Sequence, residues 1–432
     1  MIKNYSRTVF FILFLLLIFI SNSCKEDPPV IPPPPPPPVL KDTLTVAVID
    51  VTHRSASLNV QCTMNNVHSL VRLYRLFNSN ETLVSEFPIT VHDTTIIDDN
   101  NGTGLLLNTN YFYYAVRIDT LGERKDSSNL VEAVTPDTTS HNYTWQEIII
   151  GDAGYSNALY DVWGTDENNV WAVGGLMIGG KFYGALHWNG IEWIPDSTVA
   201  GYAIYGFSPE DIWVVGGSVF HFNGTIWEDY TNRDRVLHDN QNYTSVWGTS
   251  SSNLYLGNEW GKIIHWDGSK ASVVYDQTSV ALTDLYGYNS EFIIGCGSLL
   301  APPGVAIKYS SGYWTQIAAL NTNRLMYSVY ITNPTEYYVV GQEVMRYRNG
   351  QWTNILSNSS VMLTIRGNKE TGEIAIAGHF STLYHFNGST WKEFQFSLTQ
   401  YTPIESVYLT NNKLFAVGSF GNQARIIIGT RN

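Results

Sequence analysis

The chain has 432 residues, with 25 Lys and Arg against 38 Asp and Glu and a formal net charge of −13. That length accommodates two domains, and the sparse, acidic charge argues against a nucleic-acid partner, which requires a basic face. Aromatic residues are 13% of the chain, a content that suits a β-rich protein first and a sugar-binding one second.

Residues 1–23 read as a secretory signal peptide. Lys3 and Arg7 precede an apolar core over residues 9–20, followed by Ser21, Asn22 and Ser23. A core of about 12 residues is too short to span a bilayer comfortably. The segment resembles a lipobox in which Ser21 replaces the usual leucine, which implies lipidation of Cys24. The alternative is ordinary cleavage that leaves a free thiol. Lys25-Glu26-Asp27 resembles the acidic tag that sends Bacteroidetes-type lipoproteins to the cell surface. Lys25 also departs from the aspartate that holds lipoproteins in the inner membrane. The implied location is the outer membrane, with the protein facing the exterior.

Residues 24–41 form a linker, with an unbroken proline run over residues 32–38. Such a run is a stiff polyproline II rod rising ~3.1 Å per residue, enough to lift the domains beyond it roughly 20 Å from the lipid. The remaining cysteines, Cys62 and Cys296, fall in different predicted domains, so no structural disulfide is expected.

Residues 42–136 read as seven short strands of a β-sandwich. The stretch from Leu105 to Ile118 resembles the L-x-P-x-T-x-Y-x-Y signature of fibronectin type III domains. Leu105, Thr109, Tyr111 and Tyr113 match, and Leu107 replaces the proline. The resemblance makes Tyr111 a corner tyrosine and puts Cys62 where such domains usually carry a core tryptophan. A spacer role is expected for this domain.

Residues 141–432 carry a repeat of about 41 residues, the length of a four-stranded propeller blade. Its copies are anchored by Val162, Ile204, Val246, Leu285, Val329, Ile365 and Val407. Each copy has two alternating runs, then a glycine, then a third run. In most copies an Asn-Gly or Asp-Gly pair and a tryptophan come next. Asn-Gly predicts a tight type I′ hairpin between strands three and four. The seventh copy stops after its third strand, and the 143–150 strand with Trp145 is expected to complete it. The predicted fold is all-β: a fibronectin type III-like sandwich followed by a seven-bladed β-propeller closed by that strand. The repeats resemble the VWG…DVWAVG…HWNGTxW propellers of bacterial secreted proteins, a family often labelled glucosyltransferase.

No nucleophile elbow, P-loop, dinucleotide fingerprint or zinc-spaced cluster is present, and no cofactor or metal is expected. His187, His221, His265 and His385 share one column and are read as structural. A small, polar inner column contains Asp161 and Asp284, a carboxylate pair for glycoside hydrolysis if separated by roughly 5–9 Å. The aromatic column after it, Trp163 to Tyr408, reads as packing between blades. Loops after strands two and four open on one face and differ between blades. They place Tyr183, Glu259, Trp260, Glu343 and Phe380 there, and an insertion adds Arg233, Arg235, His238 and Asp239. Rings beside carboxylates suit a glycan or a protein partner. The leading expectation is a surface lipoprotein whose propeller face binds a glycan or an envelope or extracellular protein. A carbohydrate-active enzyme and a non-catalytic envelope scaffold are the alternatives.

Overall fold

The computed structural model describes residues 43–63, 70–89, 93–298, 303–320, 324–356, 360–396 and 402–432. The signal segment, Cys24 and the proline run lie outside them. The described residues all belong to one compact unit. They are all-β, built from many antiparallel sheets.

The first strands are β1 (Thr43–Val51), β2 (Ala56–Thr63), β3 (Leu70–Phe77), β4 (Asn80–Pro88), β5 (Asp93–Asp98), β6 (Thr109–Ile118), β7 (Arg124–Ser127) and β8 (Val131–Thr135). One sheet has the order β1-β2-β5; the other runs β4-β3-β6-β7, with β8 also on β6. Alternation along these strands drives one face of each inward, where Leu58, Val60, Leu73, Tyr113 and Ala115 share a core with Cys62. Tyr111 is buried, and its hydroxyl accepts a 2.9 Å hydrogen bond from the Leu106 amide. Among the described residues there are eight strands against the seven expected, with β7 and β8 pairing in turn along β6. Between β7 and β8, Asn129 turns to β1 and bonds both the amide and the carbonyl of Val46, at 2.9 Å each. Cys62 and Cys296 are both buried, one in each region.

Strand β9 (Tyr143–Ile150) precedes seven four-stranded sheets, here I to VII. Their first strands are Ala158–Asp166, Ala203–Ser208, Tyr243–Ser250, Asp284–Asn289, Met326–Asn333, Met362–Asn368 and Ile404–Leu409. In sheets I to VI the four strands are consecutive in sequence. In sheet VII the fourth strand is β9, paired from Tyr143↔Arg431 to Ile150↔Ala424. The two ends of this region are therefore joined by one hydrogen-bonded ladder. First strands contact one another in the order I to VII and back to I.

Neighbouring sheets interlock through rings and glycines. A Cβ on Gly206 would meet the Trp163 ring of sheet I at 2.6 Å. One on Gly287 would meet Trp247 at 2.2 Å, and one on Gly367 would meet Tyr330 at 2.3 Å. The aromatic column is thus inter-sheet packing, and Gly206, Gly287 and Gly367 leave room for a ring of the preceding sheet.

The histidine column is structural as read. His187, His221, His265 and His385 each bond the residue that opens or nearly opens strand two of the same sheet. The partners are Asn169, Asp211, Asn253 and Glu373, at 2.6–2.8 Å. Three of these rings also lie against an aromatic of strand two, closest at Trp171–His187, 4.2 Å between centroids.

The predicted type I′ hairpins require correction. Asn349-Gly350 has both φ angles positive and joins Arg348 to Gln351 in a two-residue turn. The pairs at Asn189, Asn223, Asp267 and Asn387 instead open four-residue loops in which, of these two residues, glycine alone has positive φ. There the Asn or Asp side chain accepts the amides two and three residues on, as Asn189 does from Ile191 and Glu192 at 2.9 Å. That side-chain turn competes with the tighter hairpin.

The sandwich packs against sheets IV to VI at the end where first strands finish. His53 lies against Gly372 and Gly388, and its Nε2 is 2.9 Å from the Asp137 carbonyl. Asp99 bonds Asn349, and Asp50 and Ser57 lie beside Tyr288.

Candidate functional site

First strands of the seven sheets surround a cavity of ~350 Å³. Residues from four successive strand positions line it, Tyr160 to Trp163 in sheet I. The innermost layer is the small, polar column, and its two aspartates act as clamps. Asp161 accepts hydrogen bonds from its neighbour Val162, from the Ile204 amide of sheet II at 2.9 Å, and from Ser406 of sheet VII at 2.6 Å. Asp284 accepts from Ser328 at 2.6 Å and from the Val329 amide at 2.9 Å, both in sheet V. Arg366 of sheet VI completes that group with a bidentate pair to Asp284 at 2.8 and 3.0 Å. Burial works against the Arg366 charge, and Asp284, with Asp161 and Tyr286, more than offsets it. Burial also raises the Asp161 carboxyl, against the nearby Arg366 and its hydrogen-bond donors. Both carboxylates are therefore committed to holding sheets together.

The layer at the start of the strands is different. It comprises Tyr160, Tyr202, Thr244, Thr283, Tyr327, Leu363 and Glu405. The threonine hydroxyls are spent on backbone carbonyls of the next sheet, Leu282 and Tyr327, at 2.7 and 2.8 Å. Tyr160 and Tyr202 are 41% and 50% exposed, with ring centroids 5.5 Å apart. Glu405 sits next in the ring to Tyr160 and is within electrostatic reach of Tyr160 and Tyr327. Among the described residues it makes no hydrogen bond or ion pair. Burial pushes its carboxyl up to about 7. Lys369 also borders the cavity, near Asp50 of the sandwich and with its ammonium 5.8 Å from the Tyr288 ring.

None of the ligand-face residues expected from sequence lines this cavity. Each is placed in its own turn, mostly with a local partner. Arg233 pairs with Glu228 and lies 3.6 Å from the Tyr230 ring centroid. Arg235 pairs with Asp239 at 3.1 Å across one short helix, Arg235–Asp239, whose Leu237 is buried in the core. Glu259 accepts from Asn242 at 2.8 Å. Glu343 pairs with Arg324, and Lys181 lies over the Tyr183 ring at 4.9 Å. Trp260 is 46% exposed, and Phe380 is 43% exposed with φ of 57°. Strands one and two are antiparallel, so these strand two–three turns lie toward the end of the sheets that carries Tyr160 and Glu405.

The ring of Tyr160, Tyr202, Tyr327 and Glu405 went unread in the sequence. Its signal was present: the residue before the polar column varies from Tyr to Thr to Leu to Glu, which repeat folding alone does not demand.

No family model matches the chain, and no curated protein matches it. Among solved structures, the computationally designed Ika8 protein aligns at a TM-score of 0.41 and 9% identity. The alignment covers 65% of this chain and 99% of that chain.

Proposed function

We propose that the seven sheets form a seven-bladed β-propeller carried on a fibronectin type III-like sandwich, and that the protein is a surface-exposed lipoprotein whose propeller binds a glycan at the open end of its central channel. The observation that carries the binding reading is the Tyr160, Tyr202, Tyr327 and Glu405 ring. Its tyrosines border a cavity of a size that suits a small ligand. Aromatic rings stack on the CH faces of a sugar, while hydroxyl and carboxyl groups take its hydroxyls. Exposed Phe182, Trp260 and Phe380 would extend the same face for a longer chain. Lipid attachment at Cys24 would hold the protein at the membrane.

The glycosidase alternative has less support. Asp161 and Asp284, the pair it needs, are each tied to neighbouring sheets by two or more hydrogen bonds. The test is a glycan array with the detergent-solubilised full chain, repeated with Tyr202→Ala. Glycan binding that Tyr202→Ala removes is the expected result. Binding that survives unchanged in the variant, or no binding to any glycan, would defeat the reading.

A further inference from the structure

Three carboxylates face the central cavity, and their surroundings differ. Asp161 accepts three hydrogen bonds, and Asp284 is held by Ser328, the Val329 amide and a bidentate arginine. Glu405 faces the same cavity with no hydrogen bond or ion pair among the described residues. The cations that line the cavity lie away from Glu405: Arg366 is paired with Asp284, and Lys369 sits where first strands finish, near Asp50 and the Tyr288 ring. A carboxylate left this way is costly to cover with a neutral ligand, because covering removes its remaining water without supplying a counter-charge.

We propose that the open end of the channel selects an amino sugar, a pyranose bearing a free amine, over neutral and N-acetylated sugars, with Glu405 as the partner of the amine. The inference rests on the glycan reading and names its ligand class. Tyr160 follows Glu405 in the ring, and both Tyr160 and Tyr327 are within its electrostatic reach, so an ammonium group at the carboxylate is also near aromatic rings, which attract cations. The same rings receive the CH face of the sugar. Tyrosine hydroxyls at the rim, none with a partner among the described residues, are placed for its hydroxyls. N-acetylation removes the charge and fills the space next to the carboxylate, so it forfeits the pairing. The titratable groups facing Glu405 are Tyr160 and Tyr327, with Asp161 one residue deeper through Ser406. None of them supplies a positive charge.

The test is calorimetric titration of the detergent-solubilised full chain at pH 7 with trimers of glucosamine, N-acetylglucosamine and glucose, and with trilysine. The expected result is a glucosamine trimer bound about tenfold more tightly than the other two trimers. Glu405→Gln, checked for folding by circular dichroism, should reduce that trimer to the level of glucose. Tyr202→Ala should weaken all three. Equal binding of the three trimers, or a preference that survives Glu405→Gln, overturns the inference and leaves the glycan reading standing. Trilysine bound as tightly as the glucosamine trimer, and lost in Glu405→Gln, overturns the sugar part. Failure of all three trimers removes both the inference and the reading beneath it.

Discussion

Glu405 shows how one residue links stability to recognition. Its carboxyl is raised by burial to about 7 in the fold, above its ordinary value. The folded state therefore holds the proton that the unfolded chain releases. Stability is greatest below the unfolded value and falls as pH rises through about 7. Glu405→Gln should leave the melting temperature near that of the parent at pH 5 and raise it at pH 8, by about 1–3 kcal/mol of stability. A variant that melts below the parent at pH 8 would show that the carboxylate has a partner. The tryptophans give a second contrast at this scale. Trp213 is 2% exposed and donates to Ser251 at 2.7 Å, whereas Trp260 is 46% exposed. Trp213→Ala should cost about 3–5 kcal/mol, and Trp260→Ala less than about 1 kcal/mol. Equal losses in chemical denaturation would place Trp260 in the core.

The element that matters most is β9. It pairs with the last strand along its whole length and buries Tyr143. Trp145 packs on Phe394 and Phe396 of sheet VI, at centroid distances of 5.0 and 4.9 Å. Deleting residues 141–150 exposes a strand edge and an apolar face, so aggregation or a large fall in melting temperature is expected. A deletion variant melting like the parent would mean the ladder is dispensable. Around the start of β9, Glu373 collects Thr139, Thr371, His385 and Arg431. Burial works against its charge, but the hydrogen bonds from His385, Arg431 and the threonines win and lower its carboxyl to about 2. This contribution is present above the unfolded carboxyl value and is lost as pH falls toward about 2. Glu373→Gln should therefore destabilise at pH 7 and flatten the acid limb of the stability curve between about pH 5 and 2. An unchanged acid limb would deny Glu373 that role.

At the scale of the molecule, the open end of the channel and the sandwich lie at opposite ends of the sheets. First strands begin at Tyr160, Tyr202 and Glu405, and they finish near Tyr288 and Lys369, beside Asp50. Cys24→Ser should move the protein from the membrane to the soluble fraction with its stability unchanged. Membrane retention by the unacylated variant would rule out the lipid anchor.

Local rules made much of this chain legible. The 41-residue period, the alternation within each run and the truncated last copy lead to four-stranded units and to β9 as the missing strand. These features arise from backbone hydrogen bonding and one-sided burial, which act over a few residues. The shared histidine and aromatic columns were also readable as packing, because a feature every copy carries serves every copy. The turns were less legible: Asn-Gly serves a two-residue hairpin and a side-chain-closed loop alike, and strand register chooses between them. The site was not legible. Tyr160, Tyr202, Tyr327 and Glu405 lie far apart in sequence, and cyclic contact of first strands alone makes them neighbours. Asp161 and Asp284 looked free for chemistry until the fold set Ser406, Ser328 and Arg366 against them. Sequence determined which strands form and which faces they bury; tertiary structure decided which polar groups remained without partners, since pairing is settled by contacts between sheets.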